Sequence, residues 1–124
     1  IEKSKLNNNS LTMMVTYKNF KLLLTGDIEK EAEKVLVKDK ANLKANVLKV
    51  AHHGSNTSST NDFLKIVGPQ LSIMSVGKNK HGLPDGEVEK KLQKLGIKNL
   101  RTDKKGAVII ETGGYSYNYQ TFLE

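Results

Sequence analysis

Val47-Leu48-Lys49-Val50-Ala51-His52-His53-Gly54-Ser55-Asn56-Thr57-Ser58-Ser59 is the stretch on which the fold turns. A short apolar run stops at two adjacent histidines, a glycine turn follows, and a series of hydroxyl residues opens what reads as a helix. Groups placed where a strand stops and a loop begins project from a rigid scaffold, as binding groups usually do. The same grammar occurs upstream, where Leu22-Leu23-Leu24-Thr25-Gly26-Asp27 ends on glycine and then a carboxylate. One carboxylate and two imidazoles at strand ends make the ligand set that a borderline-soft metal prefers.

Outward from that stretch, the periodicity alternates between strand and helix. Leu11, Met13, Val15 and Tyr17 alternate with polar or smaller residues, Lys18-Asn19 makes a turn, and Phe20, Leu22 and Leu24 continue on one face, which predicts a β-hairpin. Ile28, Ala32, Val35 and Leu36 form the stripe of an amphipathic helix, followed by a polar loop, Lys38 to Asn42. Ser59 with Asp62 resembles a capping box for a helix whose apolar face is Phe63, Leu64, Ile66 and Val67, stopped by Gly68-Pro69. Leu71 to Val76 is a strand ending in the loop Gly77-Lys78-Asn79-Lys80-His81-Gly82-Leu83-Pro84. Pro84 fits the first position of a helix carrying Val88, Leu92 and Leu95, which Gly96 ends. Three strands follow: Lys98 to Arg101, Ala107 to Glu111 after the turn Lys104-Lys105-Gly106, and an alternating one through Tyr115, Tyr117 and Tyr119. At the other end Ile1 to Leu6 reads as part of a strand and Asn7-Asn8-Asn9-Ser10 as a turn. The order is that of an α/β fold.

Composition bounds the rest. With 124 residues, 37% hydrophobic and 27% charged, the sequence suits one small globular domain. No apolar run reaches the ~20 residues that span a bilayer, and no charged-then-apolar leader is visible. The lack of cysteine excludes disulfides and thiolate ligands. A net charge of +7 suits a polyanionic partner, although a solvated lysine-rich surface gives the same number.

The candidate site residues each have a plainer role as well. Asp27 precedes a helix, where Asp is a favoured N-cap. His52 and His53 point oppositely on an extended chain and can serve one site only if the backbone turns, which Gly54 permits. One imidazole would then bind metal while the other donates to substrate. Ser55 is either a phosphate contact or a turn residue. His81, with Lys78 and Asn79 beside it, lies on a third strand-end loop, and in a layered α/β fold such loops converge at one edge of the sheet.

Leu23-Leu24-Thr25-Gly26-Asp27, then Leu48-Lys49-Val50-Ala51-His52-His53-Gly54-Ser55 with Thr57-Ser58-Ser59, then Ser75-Val76-Gly77-Lys78-Asn79 and Arg101-Thr102-Asp103 before a terminal strand together resemble the C-terminal half of a metallo-β-lactamase-fold domain. The nearest kin are the ComEC/Rec2 DNA-uptake proteins and related free-standing hydrolases. The resemblance implies half of an αββα sandwich, a mixed sheet with helices on its outer face. Asp27 would bridge two divalent ions, zinc or manganese. His53 would bind one of them and His52 would face the phosphate, or the two would exchange roles. Ser55, Lys78, Asn79 and His81 fall on the substrate side, and Asp27, His52 and His53 carry catalysis. The substrate implied is DNA or another phosphodiester taken up during competence. The location implied is bacterial, in an extracytoplasmic domain of a membrane protein or a secreted hydrolase.

Two departures shape these expectations. The family's main motif, His-x-His-x-Asp-His, is absent, and only three histidines are present. Residues 1–124 are therefore expected to be the C-terminal portion of a single domain whose N-terminal half, absent from this sequence, would be its partner. Alone it would hold one ion or none, be inactive or nearly so, and tend to self-associate through an uncovered apolar sheet face. Asn79-Lys80-His81-Gly82-Leu83-Pro84 also differs from the aromatic-Gly-His-Pro of the kin, which leaves the role of His81 open. The alternatives are a non-catalytic module that binds nucleic acid or protein, and a same-fold hydrolase of a phosphocholine, nucleotide or lactone ester.

Overall fold

The computed structural model describes residues 1–39 and 42–124. Its frame is a five-stranded mixed sheet in the order β1 (Met13–Tyr17), β2 (Phe20–Leu24), β3 (Val47–Lys49), β4 (Leu71–Met74) and β5 (Lys98–Arg101). β1 and β2 are the antiparallel hairpin, and β2 through β5 run parallel. Parallel neighbours need crossovers, and each is a helix: α2 (Lys30–Lys38), α3 (Asn61–Val67) and α4 (Gly86–Lys94), after a short helical turn α1 (Lys5–Asn8) near the start. Because the strand order advances in one direction, crossovers of one hand put all three helices on the same face.

That face is the main core. Leu23, Leu48 and Met74 from the strands meet Ile28 and Ala32, Phe63, Leu64 and Val67, and Val88 and Leu92 from the helix side. Phe63 is fully buried there, and truncating such a side chain to alanine costs about 3–5 kcal/mol. The opposite face carries Phe20, Leu22, Val47, Leu71, Ile73 and Leu100. Over it lies a second sheet of two antiparallel strands, β6 (Val108–Thr112) and β7 (Tyr117–Thr121), preceded by a helical turn α5 (Thr102–Lys105). Val108, Ile110, Tyr117 and Tyr119 point inward from it. The α/β class and the mixed sheet with helices on its outer face are thus as expected, and the arrangement is compatible with half of a sandwich. The chain contributes to two sheets, however, because β6 and β7 pair with each other rather than with β5. The hairpin leaves β1 uncovered, so Leu11, Met13, Val15 and Tyr17 are exposed.

Several local expectations change. Ile1 to Leu6 is not a strand, since Lys5–Asn8 is helical. Asn8 explains this: its side-chain oxygen accepts from the backbone N–H of Glu29 and Ala32, and that long-range cap fixes the segment against α2. Thr60, not Ser59, caps α3, because Ser59 takes a left-handed φ of 62° and the Thr60 hydroxyl accepts from Phe63 N–H. The cap of α4 is Asp85, accepting from Glu87 N–H at 2.8 Å, so Pro84 precedes the helix instead of opening it. Val35 and Ile66 fall off the buried stripes and are exposed. Lys38 closes α2, and of the loop expected after it Lys40 and Ala41 lie outside the described residues.

Candidate metal centre at the carboxyl edge of the sheet

β2, β3 and β4 are parallel neighbours, so the loops that follow them emerge side by side at one edge. Asp27 comes from the first loop, His52 and His53 from the second, and Lys78, Asn79 and His81 from the third. The expected convergence is therefore present.

The N-cap role open to Asp27 is taken by Asn8, and no side chain of α2's own flank caps it. Asp27 instead sits in a loop pinned by Ser10, whose hydroxyl accepts from Asp27 N–H at 3.3 Å, and by Thr25, whose buried hydroxyl donates to the Lys49 carbonyl at 2.6 Å. Its carboxylate stands 3.6 Å from His53 Nε2, with 41% of Asp27 and 45% of His53 side-chain surface exposed.

The backbone turn needed to bring the histidines out is made by the histidines themselves. His52 (φ 52°, ψ 40°) and His53 (φ 55°, ψ 28°) both adopt the left-handed region, which costs roughly 1–2 kcal/mol per non-glycine residue. Strain of this kind collects at functional sites. It is held by His52 N–H donating to the Gly26 carbonyl, which ties the second loop to the first, and by Asp85 N–H donating to the Gly54 carbonyl. The His53 Nδ1–H donates to the Ser75 carbonyl at 2.6 Å, since a carbonyl can only accept. In the neutral ring this leaves a lone pair on Nε2, the atom nearest Asp27.

The donor set fits a divalent ion. Two ligands of one tetrahedral ion at ~2.0–2.2 Å stand about 3.4 Å apart, close to the observed separation of Asp27 and His53. A backbone carbonyl on the far ring nitrogen is the usual orienting partner of a ligating histidine. Among the described residues no group of three or more His, Cys, Asp or Glu side chains that could hold a metal ion stands together, and Asp27 with His53 is a pair.

Of the two histidines, His53 meets Asp27, whereas the ring of His52 turns toward Thr57, whose hydroxyl is 3.3 Å from its Nδ1. Ser55 is buried, and its hydroxyl is occupied by Thr57 within the turn. His81 and Lys78 are exposed and line a cleft of about 320 Å³ with His53, Ser75 and Leu83. Asn79 spends its side chain on its own loop: it donates to the Gly77 and Leu83 carbonyls and accepts from His81 and Leu83 N–H. Its role there is to shape the loop that carries His81.

Lys49 is the residue that sequence reasoning passed over. It shares the inner face with Leu24 and Ile73, its register partners. Burial pushes its ammonium below the usual lysine range, with the Asp27 charge opposing that shift. The signal was a lone lysine inside an apolar strand just before the histidines.

The chain is therefore an α/β sheet segment with a carboxylate–imidazole pair at its carboxyl edge. It belongs to the ComEC/Rec2 group of competence proteins as a homologue of one segment of them. It is 40% identical over 103 residues to ComE operon protein 3 of Bacillus subtilis, covering 82% of this chain and 13% of that protein. It is 40% identical over 104 residues to competence protein ComA of Neisseria gonorrhoeae, covering 82% and 15%. Recombination protein 2 of Haemophilus influenzae is 36% identical over 72 residues, covering 58% and 9%. The chain thus spans less than a sixth of the length of these relatives. No protein-family model matches it. Among the described residues no helix is long and apolar enough to cross a membrane.

Proposed function

We propose that the chain forms part of a metal-dependent hydrolase domain of the metallo-β-lactamase type that cleaves phosphodiester bonds of DNA during competence-related uptake. One observation carries this reading: Asp27 and His53, from separate strand ends, meet at 3.6 Å with the His53 ring oriented by the Ser75 carbonyl. The names of the relatives, a competence protein and a recombination protein among them, support a role in handling DNA.

Asp27 and His53 would hold zinc or manganese, with the remaining ligands supplied from outside this chain. Such ions supply Lewis-acid stabilisation of phosphoryl charge and lower the pKa of a bound water. The chain's own residues bind and orient. With Nδ1 facing the Thr57 hydroxyl, His52 keeps Nε2 to donate toward a phosphoryl oxygen, where charge builds in the transition state. Lys78 and His81 add charge and donors along the cleft beside His53. Such phosphate contacts hold the polyanion without reading its sequence.

The deciding experiment is nuclease turnover by the intact protein with added manganese or zinc, for wild type and Asp27→Ala. Near-complete loss in the variant supports the site, while unchanged cleavage places the chemistry elsewhere. The second reading, a module that binds DNA without cutting it, is favoured by the fact that only two ligand side chains meet among the described residues. It becomes the better account if the wild-type protein binds DNA but cleaves none with any divalent ion.

A further inference from the structure

We propose that the opposite, amino edge of the sheet holds a single strand of nucleic acid, in a groove separate from the metal centre. Only the choice of DNA as ligand rests on the function proposed above; the groove itself is defined by its own side chains. Two adjoining cavities of about 460 and 620 Å³ meet there, sharing Asn46 and Gln70 just ahead of β3 and β4. Lys21 and Lys44 line one, and the β6–β7 turn from Tyr115 onward lines the other. No carboxylate lines either cavity, and among the described residues Lys18, Lys21 and Lys44 form no ion pair.

The aromatic end of the groove is pre-built, with Tyr115 lining it and Tyr17 and Lys18 flanking it outside both cavities. Asn19 and Phe20 N–H both donate to the Gly114 carbonyl, which locks the β1–β2 turn to the β6–β7 turn. Gly114 has a φ of +105°, and a Cβ there would lie 2.7 Å from the Lys18 side chain, so the lysine stem packs directly on the glycine backbone. Its ammonium is thereby held 5.4 Å from the ring centroids of both Tyr17 and Tyr115. Tyr17 and Tyr115 are 49% and 67% exposed as whole residues. Cations fixed beside exposed aromatic faces, with amides between, are what a strand with unpaired bases engages: phosphates on lysine and bases stacked on tyrosine. A duplex hides its base faces and has no use for the rings.

The placement has a consequence. At roughly 3.3 Å per residue, the run from Asn46 to Ala51 separates the groove from the histidine turn by roughly 15 Å. The nucleotides lying in the groove are out of reach of Asp27 and His53, so the groove retains them without cutting there.

The test is fluorescence anisotropy of a dye-labelled oligothymidylate with the intact protein, in EDTA throughout, at 0.05 and 0.2 M salt. Working without divalent ions makes the result independent of whether the Asp27–His53 pair binds metal. Replacing Lys18, Lys21 and Lys44 together by alanine should weaken binding and flatten the log affinity–log salt slope by roughly 0.7 for each phosphate no longer neutralised. Tyr115→Ala should weaken it by at least about fivefold, the lower bound for losing one base stack, whereas Tyr115→Phe keeps wild-type affinity. A control, Lys90→Ala with Lys94→Ala on α4, should leave affinity and slope unchanged. The inference is overturned if the groove variants bind like wild type, or if the α4 control loses as much as they do. It is equally overturned if the Lys18, Lys21 and Lys44 ammonium groups are shielded from an amine-reactive reagent in the DNA-free intact protein, since the rest of the polypeptide then fills the groove.

Discussion

His53 donates its Nδ1–H to the Ser75 carbonyl at 2.6 Å, and through that bond the residue just after β4 sets the direction in which a side chain of the neighbouring loop faces Asp27. In the neutral ring this bond selects the tautomer with a free Nε2 lone pair, which is the form a metal requires. His53→Ala should therefore lower zinc or manganese affinity by more than the roughly 10–100-fold that changes to orienting partners cost. Calorimetric titration of the intact protein with each ion checks this. Equal affinity in wild type and variant would remove His53 from the ligand set.

His52 raises a separate question, since it carries a φ of 52° while its ring meets the Thr57 hydroxyl and not Asp27. Asparagine tolerates the left-handed region far better than histidine. His52→Asn should thus keep or raise thermal stability, by up to about 1 kcal/mol, while hydrolysis falls. A scanning-calorimetry trace beside a turnover assay reads both. If stability and activity drop together, the residue is a structural element of the turn and not a substrate contact.

The convergence of Asp27, His53 and His81 was legible because it follows from a repeated local pattern. Each apolar strand ends in a glycine-containing loop, and parallel neighbours align those loops. What escaped depends on partners far along the chain. Asn8 caps α2 across 21 residues, and nothing near Asn7-Asn8-Asn9 announces it. Thr60 displaced Ser59 as the cap because Glu33 of α2 takes the Ser59 and Thr60 amides, which turns the backbone one residue later. That His53 and not His52 would meet Asp27 was implied by the family resemblance alone, since the carbonyl that orients the His53 ring belongs to Ser75.

Gly54 follows the two histidines with a φ of +82°, and a Cβ there would lie 2.6 Å from Pro84 Cβ and 3.2 Å from Met74 Sδ. Both neighbours are packed, and a proline ring has little freedom to yield. Gly54→Ala combines the left-handed penalty with this overlap and should cost about 2–4 kcal/mol. Because the histidine turn is adjacent, metal affinity should fall with it. Urea unfolding measures the first and the ion titration the second. A loss under about 1 kcal/mol, less than the left-handed penalty alone, would mean that the loop carrying Pro84 moves aside readily.

The last expectation concerns Glu33, a carboxylate 1% exposed on α2. It accepts from Ser59 N–H at 2.6 Å and from Thr60 N–H at 2.8 Å, while Lys91 donates to the Ser59 carbonyl at 2.9 Å. These bonds join α2, the approach to α3, and α4 behind the histidine turn. Burial pushes the carboxyl above its ordinary 4.5, and the backbone N–H bonds and the Lys91 charge offset that only in part. A raised folded-state value means that the folded protein holds this proton more tightly than the unfolded chain. The stability it contributes is then fully present below pH 4.5 and is lost as pH rises through the raised value. Glu33→Gln cannot titrate, so it should lack this decline. It should also be less stable at low pH by roughly 1–3 kcal/mol, because an amide NH₂ would face one of the two backbone donors. The gap between wild type and Glu33→Gln should therefore narrow as pH climbs from about 4 toward neutrality, as urea unfolding across that range would record. A gap that widens with pH would show that Glu33 is held ionised by its two amides, with a folded value below 4.5 instead of above it.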